Sequence, residues 1–139
     1  MEYVTANSLG IAKGTVVEEA ALANFKGETE EVGLYLAMAR QAQREGYPEI
    51  AEALKRIALE EADHAARYAE ISGLISETTK ENLQKMLKGE IGANKGKRDA
   101  GLKAKAANIE EAPELFNESA RDEARHASML QGLLDRFFT

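Results

Sequence analysis

Apolar residues recur at intervals of three and four positions from about Val17 to the end of the chain, and this spacing constrains the fold most strongly. Such a period places the apolar side chains on one face of an α-helix, whereas no stretch has the two-residue alternation of a strand. The only two prolines, Pro48 and Pro113, each stand in the first turn of a candidate helix, where a missing N–H costs nothing. We therefore predict an all-α four-helix bundle with helices at roughly 17–44, 48–72, 79–107 and 112–137.

The composition limits the classes of function that the chain can have. The sequence of 139 residues favours one domain, and its formal charge of −6 with no basic block argues against a nucleic-acid partner. The absence of cysteine excludes disulfides, zinc ribbons, cysteine-ligated iron–sulfur clusters and thiol catalysis. No apolar run approaches the roughly 20 residues of a membrane span, and the N-terminus lacks the features of a signal peptide. We expect a cytoplasmic protein with no membrane partner.

The domain boundaries follow from where the helical period begins. Residues 1–16 contain few periodic apolar positions, and we expect them to form an extended N-terminal arm that lies on the bundle or on a partner. Residues 17–139 would form the bundle. The third helix is unusually rich in glycine, which weakens a helix by roughly 1 kcal/mol per residue relative to alanine. Close backbone packing and an opening beside a site both explain these glycines, and the sequence does not choose between them.

The two histidines of the chain each follow a glutamate by three positions, in the pairs Glu61–His64 and Glu123–His126. Residues three apart share one face of a helix, and both pairs fall on the apolar, inward face. Burying an ionised carboxylate without a counter-charge costs several kcal/mol, so these groups need a partner. A metal ion would supply it, whereas a lone Glu-x-x-His pair on a helix is more simply an exposed polar pair.

An internal repeat supplies the remaining candidate ligands. A shift of 62 residues superimposes the two Glu-x-x-His pairs, and the same shift carries Gly27-Glu28 onto Gly89-Glu90. One glutamate from each of two helices and a Glu-x-x-His pair from each of the others is the pattern of the di-iron carboxylate bundles. Oxygen donors with one nitrogen per metal suit two iron ions, with manganese or a mixed pair as the alternative. The predicted metal ligands are Glu28, Glu61, His64, Glu90, Glu123 and His126.

The residues around these ligands resemble the ferritin-like domain of the rubrerythrins. The resemblance runs through GETEEVGLYLAMARQAQREGYPEIAEALKRIALEEADHA and ESARDEARHASMLQGLLDRFF, and the opening GIAKGT and the DEARH ending particularly resemble the reversed-order rubrerythrins. This family reduces hydrogen peroxide to water, with electrons passing from a rubredoxin-type iron centre to a di-iron site. The resemblance implies the same six ligands. It also implies a catalytic role for Tyr35, which matches the tyrosine beside the family's site, although Tyr35 and Tyr68 are more simply core aromatics.

Three departures from the family pattern change what the resemblance implies. A rubredoxin centre needs four cysteines and this chain has none, so electrons would come from an external donor such as rubredoxin. The usual extra glutamate of the third helix is Ala93 here, and Lys97 stands where the first repeat has Tyr35. Glu31 is the residue that the repeat equates with Ala93, and we hypothesise that it is a seventh ligand. The alternative is that Glu31 is a surface residue.

The expected activity is therefore that of a di-iron peroxidase in oxidative-stress defence. A ferroxidase or an oxygen-reducing oxidase would use the same ligands and is the first alternative. A non-catalytic metal-binding bundle that serves as an interaction module is the second.

The chain geometry predicts the assembly. A ferritin-like bundle places the end of the second helix opposite the start of the third, a crossing of roughly 30 Å. The connection from Gly73 to Thr78 spans at most roughly 20 Å. We therefore predict a homodimer that exchanges helical hairpins.

Overall fold

The computed structural model describes residues 8–139, which form four α-helices and no strand. The helix boundaries agree with the sequence-based prediction to within one residue, and the all-α prediction is confirmed. The chain divides into two compact units, each a pair of helices joined by a short turn. Hairpin 1 contains α1 and α2, and hairpin 2 contains α3 and α4. The helices are α1 (Glu18–Arg44), α2 (Pro48–Ile71), α3 (Thr79–Ala106) and α4 (Ala112–Phe137).

Residues that favour the end or the start of a helix occupy the turns within and after hairpin 1. Gly46, with φ of 84°, follows α1 in the left-handed region that glycine adopts without steric cost. Pro48 then opens α2 as its first residue. At the start of α3, the side chain of Thr78 accepts a hydrogen bond from the Glu81 backbone N–H at 3.3 Å. These local signals fix the lengths of the helices and therefore the level at which facing residues meet.

The seam between α1 and α2 consists of small residues. Ala39, Ala42 and Ala51 are buried together, and Leu54 packs against them. Alanine lets two helix backbones approach closely, but it removes little apolar area from water. Consequently hairpin 1 draws little of its stability from large side chains within the seam.

A close approach at one glycine and one long-range hydrogen bond are among the contacts that join α3 to α4 in hairpin 2. A Cβ atom on the buried Gly101 would lie 3.1 Å from Asn117 Oδ1 and 3.4 Å from Phe116 Cβ, so an alanine here would displace these neighbours by a few tenths of an ångström. Asn94 Nδ2 donates a hydrogen bond across the hairpin to the Ala120 carbonyl at 2.6 Å. Of the two explanations for the glycines of the third helix, close packing applies to Gly101. The other three have open space within 4 Å: Gly89, Gly92 and Gly96.

Large apolar side chains remain exposed on both hairpins. Among residues 8–139, no large side chain is fully buried. Met38 on α1 is 51% exposed, Ile50 on α2 51%, Met86 on α3 52% and Phe137 on α4 62%. A contiguous set of exposed apolar residues on a protein marks a surface that binds a partner.

The N-terminal arm is hydrogen-bonded to the end of α2. Its described part is a series of turns rather than the extended segment expected from the sequence. The Gly10 N–H donates to the Glu70 carbonyl at 2.8 Å, and the Ala12 N–H donates to the Ile71 carbonyl at 2.9 Å. The expectation for residues 1–7 lies outside the described residues.

None of the helices in the described part of the chain is both long enough and apolar enough to cross a membrane.

Candidate metal centre

Three predicted ligands meet in hairpin 1 and form what we call triad 1. Glu28 extends from α1, and Glu61 and His64 extend from α2. His64 Nδ1 lies 3.0 Å from Glu61 Oε2 and 3.6 Å from Glu28 Oε2. The three ligand atoms lie within 4.8 Å of one another, which is close enough for a single metal ion to contact all of them.

The backbone explains why triad 1 forms. Glu61 and His64 are three residues apart, so both side chains leave α2 on one face. Glu28 lies across the seam at the same level, because the turn at Gly46 is short and the alanines of the seam let the two helices approach closely. The side chains of Glu28 and Glu61 are only 18% and 17% exposed, whereas that of His64 is 50% exposed.

Hairpin 2 repeats this arrangement as triad 2, which contains Glu90 from α3 and Glu123 and His126 from α4. His126 Nδ1 lies 3.1 Å from Glu123 Oε2 and 3.5 Å from Glu90 Oε2. These distances match those of triad 1 to within 0.1 Å. The 62-residue repeat in sequence is therefore also a repeat in geometry.

Hydrogen bonding among its own three side chains dominates the electrostatics of triad 1. Hydrogen bonding with Glu61, followed by burial, raises the pKa of Glu28 above its ordinary value. The same hydrogen bond lowers the pKa of Glu61. Hydrogen bonding with Glu61 also raises the pKa of His64. A metal ion bound at triad 1 would compete with protons for these three side chains.

The donor atoms of the two triads suit a hard or borderline metal ion. Glu28 Oε2 is buried and accepts no hydrogen bond. A buried oxygen of this kind is an unsatisfied acceptor that a bound cation would satisfy. Each triad offers carboxylate oxygens and one imidazole nitrogen, a combination that suits iron or manganese. In the described part of the chain, triad 1 and triad 2 are the two clusters of acidic and histidine side chains that are close enough to hold a metal ion. The residues therefore fit a pair of metal ions.

Three residues singled out by the sequence lie outside the triads. Glu31 is exposed, although its charge contributes to raising the pKa of Glu28. Tyr35 is half-buried on α1, about two helical turns beyond Glu28, and Tyr68 is half-buried on α2. The proposed roles of Glu31 and Tyr35 stay predictions.

Lys97 contributes a contact that the sequence did not predict. Its Nζ contacts Glu123 Oε1, so this lysine is part of the surroundings of triad 2. The repeat signals a difference here, because Lys97 corresponds to Tyr35. Nevertheless, the sequence did not indicate whether the side chain reaches triad 2 or extends to solvent.

Comparisons with known proteins agree with this geometry. The rubrerythrin family model matches residues 19–134. An uncharacterized protein from Methanocaldococcus jannaschii is 59% identical over 138 residues, which are 99% of this chain and 98% of that protein. Reverse rubrerythrin-1 from Clostridium acetobutylicum is 50% identical over 135 residues, which are 95% of this chain and 75% of that protein.

Proposed function

Because this chain belongs to the rubrerythrin family, we propose that it is a non-haem di-iron peroxidase that reduces hydrogen peroxide to water. The observation that carries the proposal is the pair of triads, which lie 62 residues apart in sequence and contain the same ligand types. The distance from the histidine Nδ1 to the glutamate Oε2 three residues earlier is 3.0 Å in triad 1 and 3.1 Å in triad 2. In the ferritin-like di-iron class, two such sets converge on one pair of metal ions. A single triad would support only a mononuclear site.

Each ligand has a role in the proposed site. Glu61 and Glu123 would bridge the two ions. Glu28 and His64 would hold one ion, and Glu90 and His126 would hold the other. When bound, two ferrous ions supply the two electrons and the charge stabilisation that cleavage of the O–O bond needs.

The surrounding residues would bind and orient the substrate. The half-buried Tyr35 has a hydroxyl group that could donate a hydrogen bond to peroxide. Low exposure of the Glu28 and Glu61 side chains limits the access of water to the ligands. In the overall reaction, one hydrogen peroxide takes up two electrons and two protons and yields two waters. The electrons come from an external donor, since the sequence has no cysteine with which to bind a rubredoxin-type iron.

We further propose that the protein functions as a homodimer with exchanged hairpins, located in the cytoplasm. Exposed apolar side chains on all four helices support a second copy as the partner, because alanine seams alone leave much apolar area in water. Seven residues, 72–78, connect α2 to α3 and span at most about 25 Å. This is shorter than the roughly 30 Å crossing that a ferritin-like bundle formed within one chain would need. Each site would then take triad 1 from one chain and triad 2 from the other.

Steady-state turnover tests the peroxidase proposal. We expect anaerobic, iron-loaded protein to oxidise reduced rubredoxin when hydrogen peroxide is added, with two rubredoxins oxidised per peroxide because each carries one electron. The absorbance of oxidised rubredoxin gives the rate, and metal-free protein is the control. If iron-loaded protein accelerates rubredoxin oxidation no more than metal-free protein does, the proposed activity with this donor is wrong.

A further inference from the structure

The two triads differ in what compensates their negative charge. In triad 2, Glu123 Oε2 lies 3.1 Å from His126 Nδ1, and Glu123 Oε1 contacts the ammonium group of Lys97. In triad 1, Tyr35 occupies the position equivalent to Lys97, and Glu28 Oε2 has no hydrogen-bond partner. A lysine ammonium carries a full positive charge and donates up to three hydrogen bonds, whereas a tyrosine hydroxyl is neutral and donates one. Triad 2 therefore has a lysine ammonium group in contact with one of its carboxylates, and the equivalent residue of hairpin 1 is a neutral tyrosine.

The Lys97–Glu123 ion pair is less exposed to solvent than the other ion pairs that lysine and arginine form on the described helices. The side chains of Lys97 and Glu123 are 35% and 14% exposed, whereas the pair Arg56–Glu60 is 84% and 66% exposed. Exposed pairs on a helix contribute little because water and salt screen them. A partly buried pair is screened less, and removal of its cation leaves a carboxylate without compensation.

On the basis of the proposed two-metal site, we infer that Lys97 takes the place of a metal ion beside Glu123 in the metal-free protein. If Glu123 bridged two ions through both of its oxygens, each oxygen would have to be free to bind one ion. Glu123 Oε1 is the oxygen that Lys97 contacts, so Lys97 has to release it before Glu123 can bridge. The lysine thus stabilises the metal-free form and opposes metal binding at triad 2.

This role predicts two effects of opposite sign for one substitution. In Lys97→Met, the metal-free protein loses the cation beside Glu123, so its melting temperature falls by several degrees. The same variant no longer has to break the Lys97–Glu123 contact, so its affinity for the metal ions that Glu123 would bridge rises, roughly ten- to a hundredfold.

The experiment uses Mn²⁺ as the probe, with its binding followed by electron paramagnetic resonance and the melting of metal-free protein followed by circular dichroism. Lys95→Met is the matched control, because Lys95 is exposed on the same helix two residues away, and we expect it to change neither quantity. Lys97→Arg keeps the positive charge beside Glu123. It should bind Mn²⁺ no more tightly than wild type does and melt at no lower temperature when metal-free.

Three results would overturn the inference. Weaker Mn²⁺ binding by Lys97→Met would mean that Lys97 orients Glu123 for the metal instead of standing in for it. Unchanged affinity and unchanged melting would mean that the contact is an inconsequential surface pair. If Lys97→Met does not fold, tighter Mn²⁺ binding by Lys97→Arg would contradict the role of the charge. Failure of wild-type protein to bind Mn²⁺ or Fe²⁺ is a different result, since it would overturn the proposed metal site itself.

Discussion

Glu61→Ala is expected to lower the affinity for iron by more than about a hundredfold and to abolish peroxide turnover. Substitution of groups that merely support a metal ligand typically costs ten- to a hundredfold in affinity, and loss of a bridging ligand should cost more. Glu61 also forms a hydrogen bond with His64, at 3.0 Å, so its removal leaves the imidazole without the group that orients it. Anaerobic titration with Fe²⁺ measures the affinity, and peroxide consumption measures the activity.

Glu60→Ala is the matched control for this substitution. Glu60 precedes Glu61 in α2 but is exposed and pairs only loosely with Arg56, at 3.8 Å. Its removal should leave iron binding and turnover unchanged. If Glu61→Ala altered thermal stability but retained wild-type turnover, the bundle would be an interaction module rather than a di-iron enzyme.

Two inactive variants are expected to restore activity to each other when they form a mixed dimer. In the exchanged arrangement, a dimer of Glu61→Ala with Glu123→Ala has one site that carries both substitutions and one site that carries neither. The two variants can be produced together with different affinity tags and purified through both. We expect the mixed dimer to show about half of the wild-type activity per dimer, because one of its two sites is intact.

The same experiment separates the alternative assemblies. If each site forms within one chain, the mixed dimer has one defect in each site and stays inactive. If the protein is monomeric, no species carries both tags. Homodimers of each variant provide the inactive reference, so any activity in the doubly purified sample reports an intact site formed between chains.

The sequence was sufficient to predict the helices because their determinants are local. Pro48 opens α2, and Thr78 caps α3, so the signals lie within a few residues of the boundaries that they set. The 62-residue repeat also explains why the two triads contain the same residue types at corresponding positions, and their role as metal ligands stays a prediction. In contrast, the glycines of α3 have different surroundings. Only the tertiary structure distinguishes Gly101, which faces Asn117 across the hairpin, from Gly96, which has open space.

The contact between Lys97 and Glu123 could not be predicted from the sequence. A lysine side chain has a flexible four-carbon stem, so a position on a helix does not determine whether its ammonium group reaches a carboxylate or solvent. The N-terminal arm is a similar case. Its turns depend on hydrogen bonds from Gly10 and Ala12 to the end of α2, which is about 60 residues away in sequence. The low helical periodicity of the arm led to the prediction of an extended segment, whereas its described residues form turns.

The central claim is that the two triads form one di-iron site that reacts with peroxide, and rapid mixing tests it most directly. Protein loaded anaerobically with Fe²⁺, one ion per triad, is mixed separately with hydrogen peroxide and with oxygenated buffer while the diferric absorption is followed. We predict that oxidation by peroxide is much faster than oxidation by oxygen. Faster oxidation by oxygen would contradict the peroxidase assignment and favour an oxidase or ferroxidase, and failure to bind two ions per site would contradict the site itself.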